Sequence, residues 1–206
     1  MFDAEPPDAE LLPTYNLAPT DEAAVVVERA DRRAIRAYRW GLIPSWAKDE
    51  KIASKLFNAR AETLSTSGAF RESFRRRRCI VPADAFYEWQ RQAGARRPFL
   101  IRRDDGAPLA LAGLWSGWRH PETEQVIRTF TIVTTTANRT LAAVHDRMPV
   151  MLEREHWARW LDPTLQDPGE LTALLQPAAD DELVMYPVRP LVNNVRNNGP
   201  ELIEPA

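Results

Sequence analysis

Cysteine occurs once in these 206 residues, at Cys79. A single thiol excludes a disulfide framework and any zinc site built from several thiolates. Glycine is also scarce, with eight residues against 17 prolines. No glycine-rich phosphate loop, serine-centred nucleophile elbow or His/Cys cluster at metal-ligand spacing is present, so ordinary hydrolase and nucleotide-enzyme readings lose support. No metal and no cofactor is expected. The longest apolar run, Leu109 to Trp115, falls far short of the ~18 residues of a membrane span. Nothing near Met1 has the basic-then-apolar pattern of a secretion signal. The expectation is a cytoplasmic protein, nucleoid-associated in a bacterium, acting as a monomer. A chain of this length buries roughly 70% of its unfolded surface without a covalent staple, so one domain over residues 1–206 is expected.

Lysine is nearly absent too. Lys48, Lys51 and Lys55 are the only ones among 27 basic residues, and the rest are arginines, which suit bidentate phosphate contacts. A GC-rich genome would produce the same bias. Position says more. The formal net charge is −2, yet residues 71–103 hold arginines at 71, 75–78, 91, 96, 97, 102 and 103 against Glu72, Asp84 and Glu88, while the first 24 residues carry acids and no Lys or Arg. A near-neutral whole can hide a basic face for nucleic acid, because phosphate binding depends on local charge. A solvated basic loop is the alternative.

Scattered prolines argue for rigid turns inside a compact unit rather than a flexible linker. β-Branched, aromatic or alternating content predicts strands over Ala23–Glu28, Ala34–Trp40, Cys79–Ala83, Phe86–Trp89, Pro98–Arg102, Leu109–Trp115, Thr129–Thr135 and Leu183–Val188. Helical patterns cover Ala69–Arg77, Arg139–Val144, Glu153–Leu161 and Pro168–Leu175. The predicted class is α+β, sheet-rich, with a curled or barrel-like sheet and peripheral helices.

Several stretches carry chemistry. In Leu56–Thr63, Asn58, Arg60 and Glu62 alternate with apolar residues, so an extended segment would project an amide, a guanidinium and a carboxylate to one side. Such a group can hold a phosphate or an oxyanion, or be the solvent face of an edge strand. Glu88 lies between Tyr87 and Trp89, either as a proton-transfer carboxyl in apolar surroundings or as an exposed strand glutamate. His145 precedes Asp146-Arg147-Met148-Pro149, and Pro149 disfavours helix at Met148, which puts the histidine at a helix-to-strand junction. Loop histidines held by a scaffold are good acid–base candidates. Cys79 follows Arg75–Arg78, but Cys-Ile-Val reads as the start of a buried strand. Trp40 and Trp46 flank a turn near the three lysines. Trp40 is expected in the core and Trp46 at the surface, where bases of single-stranded nucleic acid could stack on it.

Taken in order, Tyr15-Asn16-Leu17-Ala18-Pro19, Arg39-Trp40-Gly41-Leu42-Ile43-Pro44, Phe57–Thr63, Arg78–Asp84, Phe86-Tyr87-Glu88-Trp89, His145–Pro149 and Val195–Ile203 resemble the SRAP family of SOS-response-associated peptidases, also called abasic site processing proteins. The resemblance spans nearly the whole chain. It implies a protein that binds single-stranded DNA and captures an abasic-site aldehyde as a covalent DNA–protein cross-link, through a thiazolidine formed by the α-amine and thiol of an N-terminal cysteine. By motif match, the resemblance implies that Asn58 orients the reacting groups, Glu88 shuttles protons and His145 assists as acid or base. It further implies that Arg60, Thr134 and Arg147 hold DNA phosphates and that Trp46 stacks on the strand. The match breaks at one place: the family begins Met-Cys-Gly-Arg, whereas this sequence begins Met1-Phe2-Asp3-Ala4. An upstream start is the expectation, with loss of the catalytic end or binding without linkage as alternatives. Two other functions stay open. One is noncovalent single-strand binding through Arg60, Trp46 and the Arg75–Arg78 run. The other is peptidase activity with autoprocessing, against which the lack of an internal nucleophile paired with a base counts.

Overall fold

The computed structural model describes residues 1–8, 10–29, 32–92 and 94–206. Its centre is a ring of five strands. β1 (Glu22–Arg29) and β2 (Arg32–Trp40) form an antiparallel hairpin with Val26 opposite Ile35. With β3 (Asn58–Arg60) set outside the ring, β1 continues through Val26 and Ile80 to β4 (Arg78–Ala83). The second sheet takes β5 (Phe86–Gln92) and β6 (Ala95–Arg103), after which β7 (Leu109–Arg119) pairs with β4 and β8 (Val126–Thr136) pairs with β7. A short parallel pairing of Arg39 with Thr129 and Trp40 with Phe130 closes β8 back onto β2. The sheet-rich α+β expectation holds, in its barrel form.

Alternation along each strand sorts two cores. Val25, Val27, Tyr38, Cys79, Val81, Leu109, Leu111, Phe130 and Ile132 fill the barrel. Their neighbours Val26, Ile80, Ala112, Leu114 and Val133 face outward and are covered by Phe74 and the indoles of Trp157 and Trp160. Those covers ride on short helices, α1 (Arg71–Arg76) and α2 (Trp157–Leu161), with α3 (Pro168–Ala173) behind them. Because β7 and β8 are covered on both faces, their sequences read as near-continuous apolar runs rather than as alternation. No helix among the described residues is long and apolar enough to cross a membrane.

Gly113 shows how tightly the barrel is filled. A methyl group added there would lie 2.7 Å from Cys79 Sγ and 3.0 Å from Val81 Cγ2. Gly113→Ala is expected to cost about 1–3 kcal/mol by overpacking. Adding Cys79→Ala should return part of that loss, because the new methyl then occupies vacated space, and thermal melts of both variants check the coupling.

β8 is the spine that positions everything else. Its first half is shared between β7 and β2, and its second half is flanked by β3, parallel, and by β9 (Arg147–Pro149), antiparallel. β5, β6 and β10 (Leu183–Pro187) make a separate antiparallel sheet in the order β10-β6-β5. All eight predicted strands are present, and the two that the sequence reading omits, β3 and β9, are three residues each. The predicted helix over Arg139–Val144 is a single 3-10 turn at Leu141–Ala143. The first turn of the Glu153–Leu161 helix is 3-10 as well.

Candidate functional site

The far half of β8 gathers most of the residues singled out above. In β3, Ala59 is buried while Asn58 and Arg60 are exposed. The extended segment ends there: Ala61–Thr63 turns into 3-10 geometry, and Thr63 Oγ1 donates to Arg60 O at 3.3 Å. Ala61 is still buried and Glu62 still exposed, so the predicted three-residue face survives the change of backbone. The turn also aims Glu62 across the strands at Arg147 on β9.

That contact is bidentate. Arg147 Nη1 and Nη2 donate to the two Glu62 carboxylate oxygens at 2.7 and 2.9 Å, and Nη2 also donates to Thr134 O at 2.7 Å. The Arg147 side chain is only 20% exposed, and its Nε is buried without a partner. The guanidinium beside Glu62 holds that carboxyl below its ordinary range. A carboxylate whose folded-state value lies below its unfolded one stabilises fully at neutral pH, and its contribution is lost as the pH falls through the carboxylate range. Glu62→Gln should therefore lower the thermal midpoint at pH 7, by about 1 kcal/mol at most for a half-exposed pair. The two proteins should converge as the pH falls through the carboxylate range, which melts across that range would read. Beside this pair, the Asn58 and Arg60 side chains make no hydrogen bond among the described residues, which leaves Arg60 as the site's available cation.

His145 stands at the predicted junction, between the 3-10 turn at Leu141–Ala143 and β9. Its Nδ1 accepts from Arg147 N at 3.0 Å, which in the neutral ring puts the proton on Nε2. When the ring is protonated, Nδ1–H meets Arg147 O at 3.2 Å and the Asp146 carboxylate at 3.3 Å. Both protonation states therefore have partners, as an acid–base residue needs. The ring lines a cleft of about 440 Å³ together with Trp89, Gln90 and Asp146. Gln90 Nε2 donates to Ala143 O at 2.9 Å and ties β5 to this loop.

Glu88 sits two residues before Gln90 on β5, half-buried, with Oε1 accepting from Trp89 N at 3.0 Å. It is thus neither sealed in an apolar pocket nor a plain solvent-facing glutamate. Its aromatic neighbours are pinned at their tips. Tyr87 OH donates to Tyr15 O at 2.8 Å, and Trp89 Nε1 donates to Asn193 Oδ1 at 2.7 Å. Burial pushes the Tyr87 hydroxyl up to about 12, with Tyr186 adding to the effect, so it remains a donor at any ordinary pH. Behind this lies a latch that residue-level sequence reasoning did not supply: buried Asn16 donates through Nδ2 to the carbonyls of Val192, Asn194 and Asn197 at 3.1–3.2 Å. The only signal was that Asn16 and the stretch from Val195 lie in two of the quoted motifs.

Arg60, Glu62, Arg147 and His145 form one connected patch on β3 and β9, linked through Thr134 of β8, which is itself buried. Glu88 directly precedes Trp89 and Gln90 on β5 but does not itself line the His145 cleft. Trp46 is 61% exposed, its Nε1 donating to Gly68 O at 3.3 Å, while Trp40 is half-buried against the barrel core with Nε1 donating to Phe57 O. One expectation needs correction. The Arg75–Arg78 run is not one binding surface: Arg78 is buried, Arg77 lies over the Trp115 ring, and Arg75 and Arg76 reach Gln166. Cys79 is inside the barrel, where burial pushes its thiol up, so it offers no nucleophile. Among the described residues no three of His, Cys, Asp and Glu come together as a metal site.

Known proteins resemble this chain in sequence and in fold. The family model described as SOS response associated peptidase (SRAP) matches residues 1–195. The abasic site processing protein YoqW of Bacillus subtilis (strain 168) is 44% identical over 199 residues, covering 96% of this chain and 88% of its own. The abasic site processing protein HMCES of Gallus gallus is 30% identical over 224 residues, covering 94% of this chain and 66% of its own. A crystal structure from Bacteroides thetaiotaomicron superposes with a TM-score of 0.83 at 28% identity, over 91% of this chain and 82% of that one.

Proposed function

The chain belongs to the SOS response associated peptidase (SRAP) family, and from that premise we propose that it processes abasic sites in DNA, holding a single strand across the β3–β8–β9 end of the barrel and capturing the sugar aldehyde as a covalent cross-link. The observation that carries the proposal is the exposed Asn58 and Arg60 beside the Glu62–Arg147–Thr134 cluster, with His145 joined to that cluster through the Arg147 backbone. Arg60 meets a strand phosphate, Thr134 and Arg147 brace the same stretch of backbone, and Trp46 offers a ring for a neighbouring base.

The reaction needs no metal. An amine adds to the aldehyde carbon, the carbinolamine loses one water, and the imine is closed by a thiol of the same residue. The resemblance assigns both groups to an N-terminal cysteine. Asn58 donates its amide N–H to the aldehyde oxygen, fixing its orientation. Glu88 accepts the proton released by the attacking amine and returns it to the departing hydroxyl. His145, with a proton on Nε2, supplies or takes back a proton during closure and reversal.

Binding tests the strand-holding half of this reading. Arg60→Gln should weaken affinity for single-stranded DNA with one abasic site and reduce the slope of log affinity against log salt by about one. Fluorescence anisotropy at several salt concentrations measures both. An unchanged slope would remove Arg60 from the interface.

A further inference from the structure

Where β8 begins and the β1–β2 hairpin ends, a cleft of about 640 Å³ is lined by Arg29, Arg32, Arg36 and Arg128 around Tyr38. Tyr38 is only 3% exposed, and among the described residues its hydroxyl, which faces this cleft, has no hydrogen-bond partner. A hydroxyl with no partner in the protein can donate to a ligand atom that enters the cleft. Burial pushes this phenol up, while the positive charges of Arg128, Arg29 and Arg36 pull it the other way.

The acids around the cleft behave as stand-ins. Glu5 lies 3.1 Å from Arg32 and Asp8 3.8 Å from Arg36, and Glu22 is on the rim. Asp8 and Arg32 are largely exposed, so these carboxylates exchange readily for a better anion. Arginine forks fit phosphate bidentately, and a concave positive surface concentrates anions. Arg128 is six residues from Thr134 along β8, about 20 Å at strand rise, which sets this mouth apart from the candidate site.

We infer that this mouth is a second, phosphate-binding site built from the Tyr38 hydroxyl and the guanidiniums of Arg29, Arg36 and Arg128, taking the phosphate of a free nucleotide or of a nucleic-acid strand. Glu5 and Asp8 act as internal competitors for it.

Calorimetric titration of the full chain with inorganic pyrophosphate tests this directly, with an unmodified single-stranded oligodeoxynucleotide titrated in parallel. Arg128→Gln should weaken pyrophosphate binding about tenfold and Tyr38→Phe about threefold or more, with the thermal midpoint of Tyr38→Phe kept. The pair Glu5→Gln and Asp8→Asn should tighten it, and Arg60→Gln, in the other site, should cost less than Arg128→Gln. Loss of oligonucleotide affinity in Arg128→Gln assigns the phosphate to a strand, and loss confined to pyrophosphate assigns it to a free nucleotide. No pyrophosphate binding, equal binding across all variants, or a loss as large in Arg60→Gln as in Arg128→Gln would overturn the inference.

Discussion

In a chain that carries the family's N-terminal cysteine, Glu88→Gln is expected to slow capture of an abasic-site aldehyde by about a hundredfold or more, while affinity for the strand stays close to that of the unmutated protein. The amide keeps the shape of the side chain and an oxygen able to accept from Trp89 N, so β5 and its pinned neighbours Tyr87 and Trp89 stay in place. What it removes is proton exchange, which both the attack of the amine and the departure of water require. Single-turnover adduct kinetics separate the effect from binding. His145→Ala should alter formation or reversal of the adduct in the same assay. Unchanged rates in both variants would remove Glu88 and His145 from the chemistry.

Arg78→Met is expected to give the largest loss of stability, about 3–5 kcal/mol, or roughly 6–20 °C in thermal midpoint for a domain of this size. Arg78 is 3% exposed and donates to five carbonyl oxygens: Trp160 and Phe74 at 2.5 and 2.8 Å, Arg75 and Leu165 at 2.6 and 3.0 Å, and Asp162. Those carbonyls end α1 and α2 and follow α2, where helix termini leave acceptors unpaired. Its ring partner is Trp160, under the guanidinium at 5.7 Å. Burial pulls the guanidinium down to about 10, with Asp162 opposing, yet it stays charged at neutral pH. Replacing an ion pair by apolar residues can be neutral because both partners go. Here the partners are backbone oxygens that no side-chain change removes. Arg78→Lys should recover part of the loss, since one ammonium cannot serve all five acceptors. A melt indistinguishable from that of the unmutated protein would contradict this account of the helix–barrel junction.

The Arg75–Arg78 run shows where sequence stops being enough. Four adjacent like charges read as a solvated or phosphate-binding stretch, and three of them do reach the surface. The fourth begins β4, whose pairing with β7 turns it inward toward five carbonyls, three of which lie more than 80 positions away in the chain. The next residue, Cys79, was legible as buried because Cys-Ile-Val is apolar throughout. The eight longer strands were legible for the same reason: their alternation or β-branched content extends over enough residues to stand out. β3 and β9 were not, because three residues carry no period and their extended form comes from pairing with β8. In the site, the Asn58–Arg60–Glu62 face could be read from alternation, and the His145 junction from Pro149. The Glu62–Arg147 pair and the Asn16 latch join segments far apart in the chain, and no local pattern announces either.

The most direct test of the central claim is adduct formation, read on a denaturing gel and by intact mass. The chain would be prepared with the family's Met-Cys-Gly-Arg start placed before Phe2 and incubated with single-stranded DNA containing one abasic site. The account predicts a protein–DNA band stable without borohydride, with the mass of both partners less one water, absent with undamaged DNA and much slower in Glu88→Gln. No adduct with or without borohydride, from a chain that still binds the strand, would contradict it and leave noncovalent binding as the function of this surface.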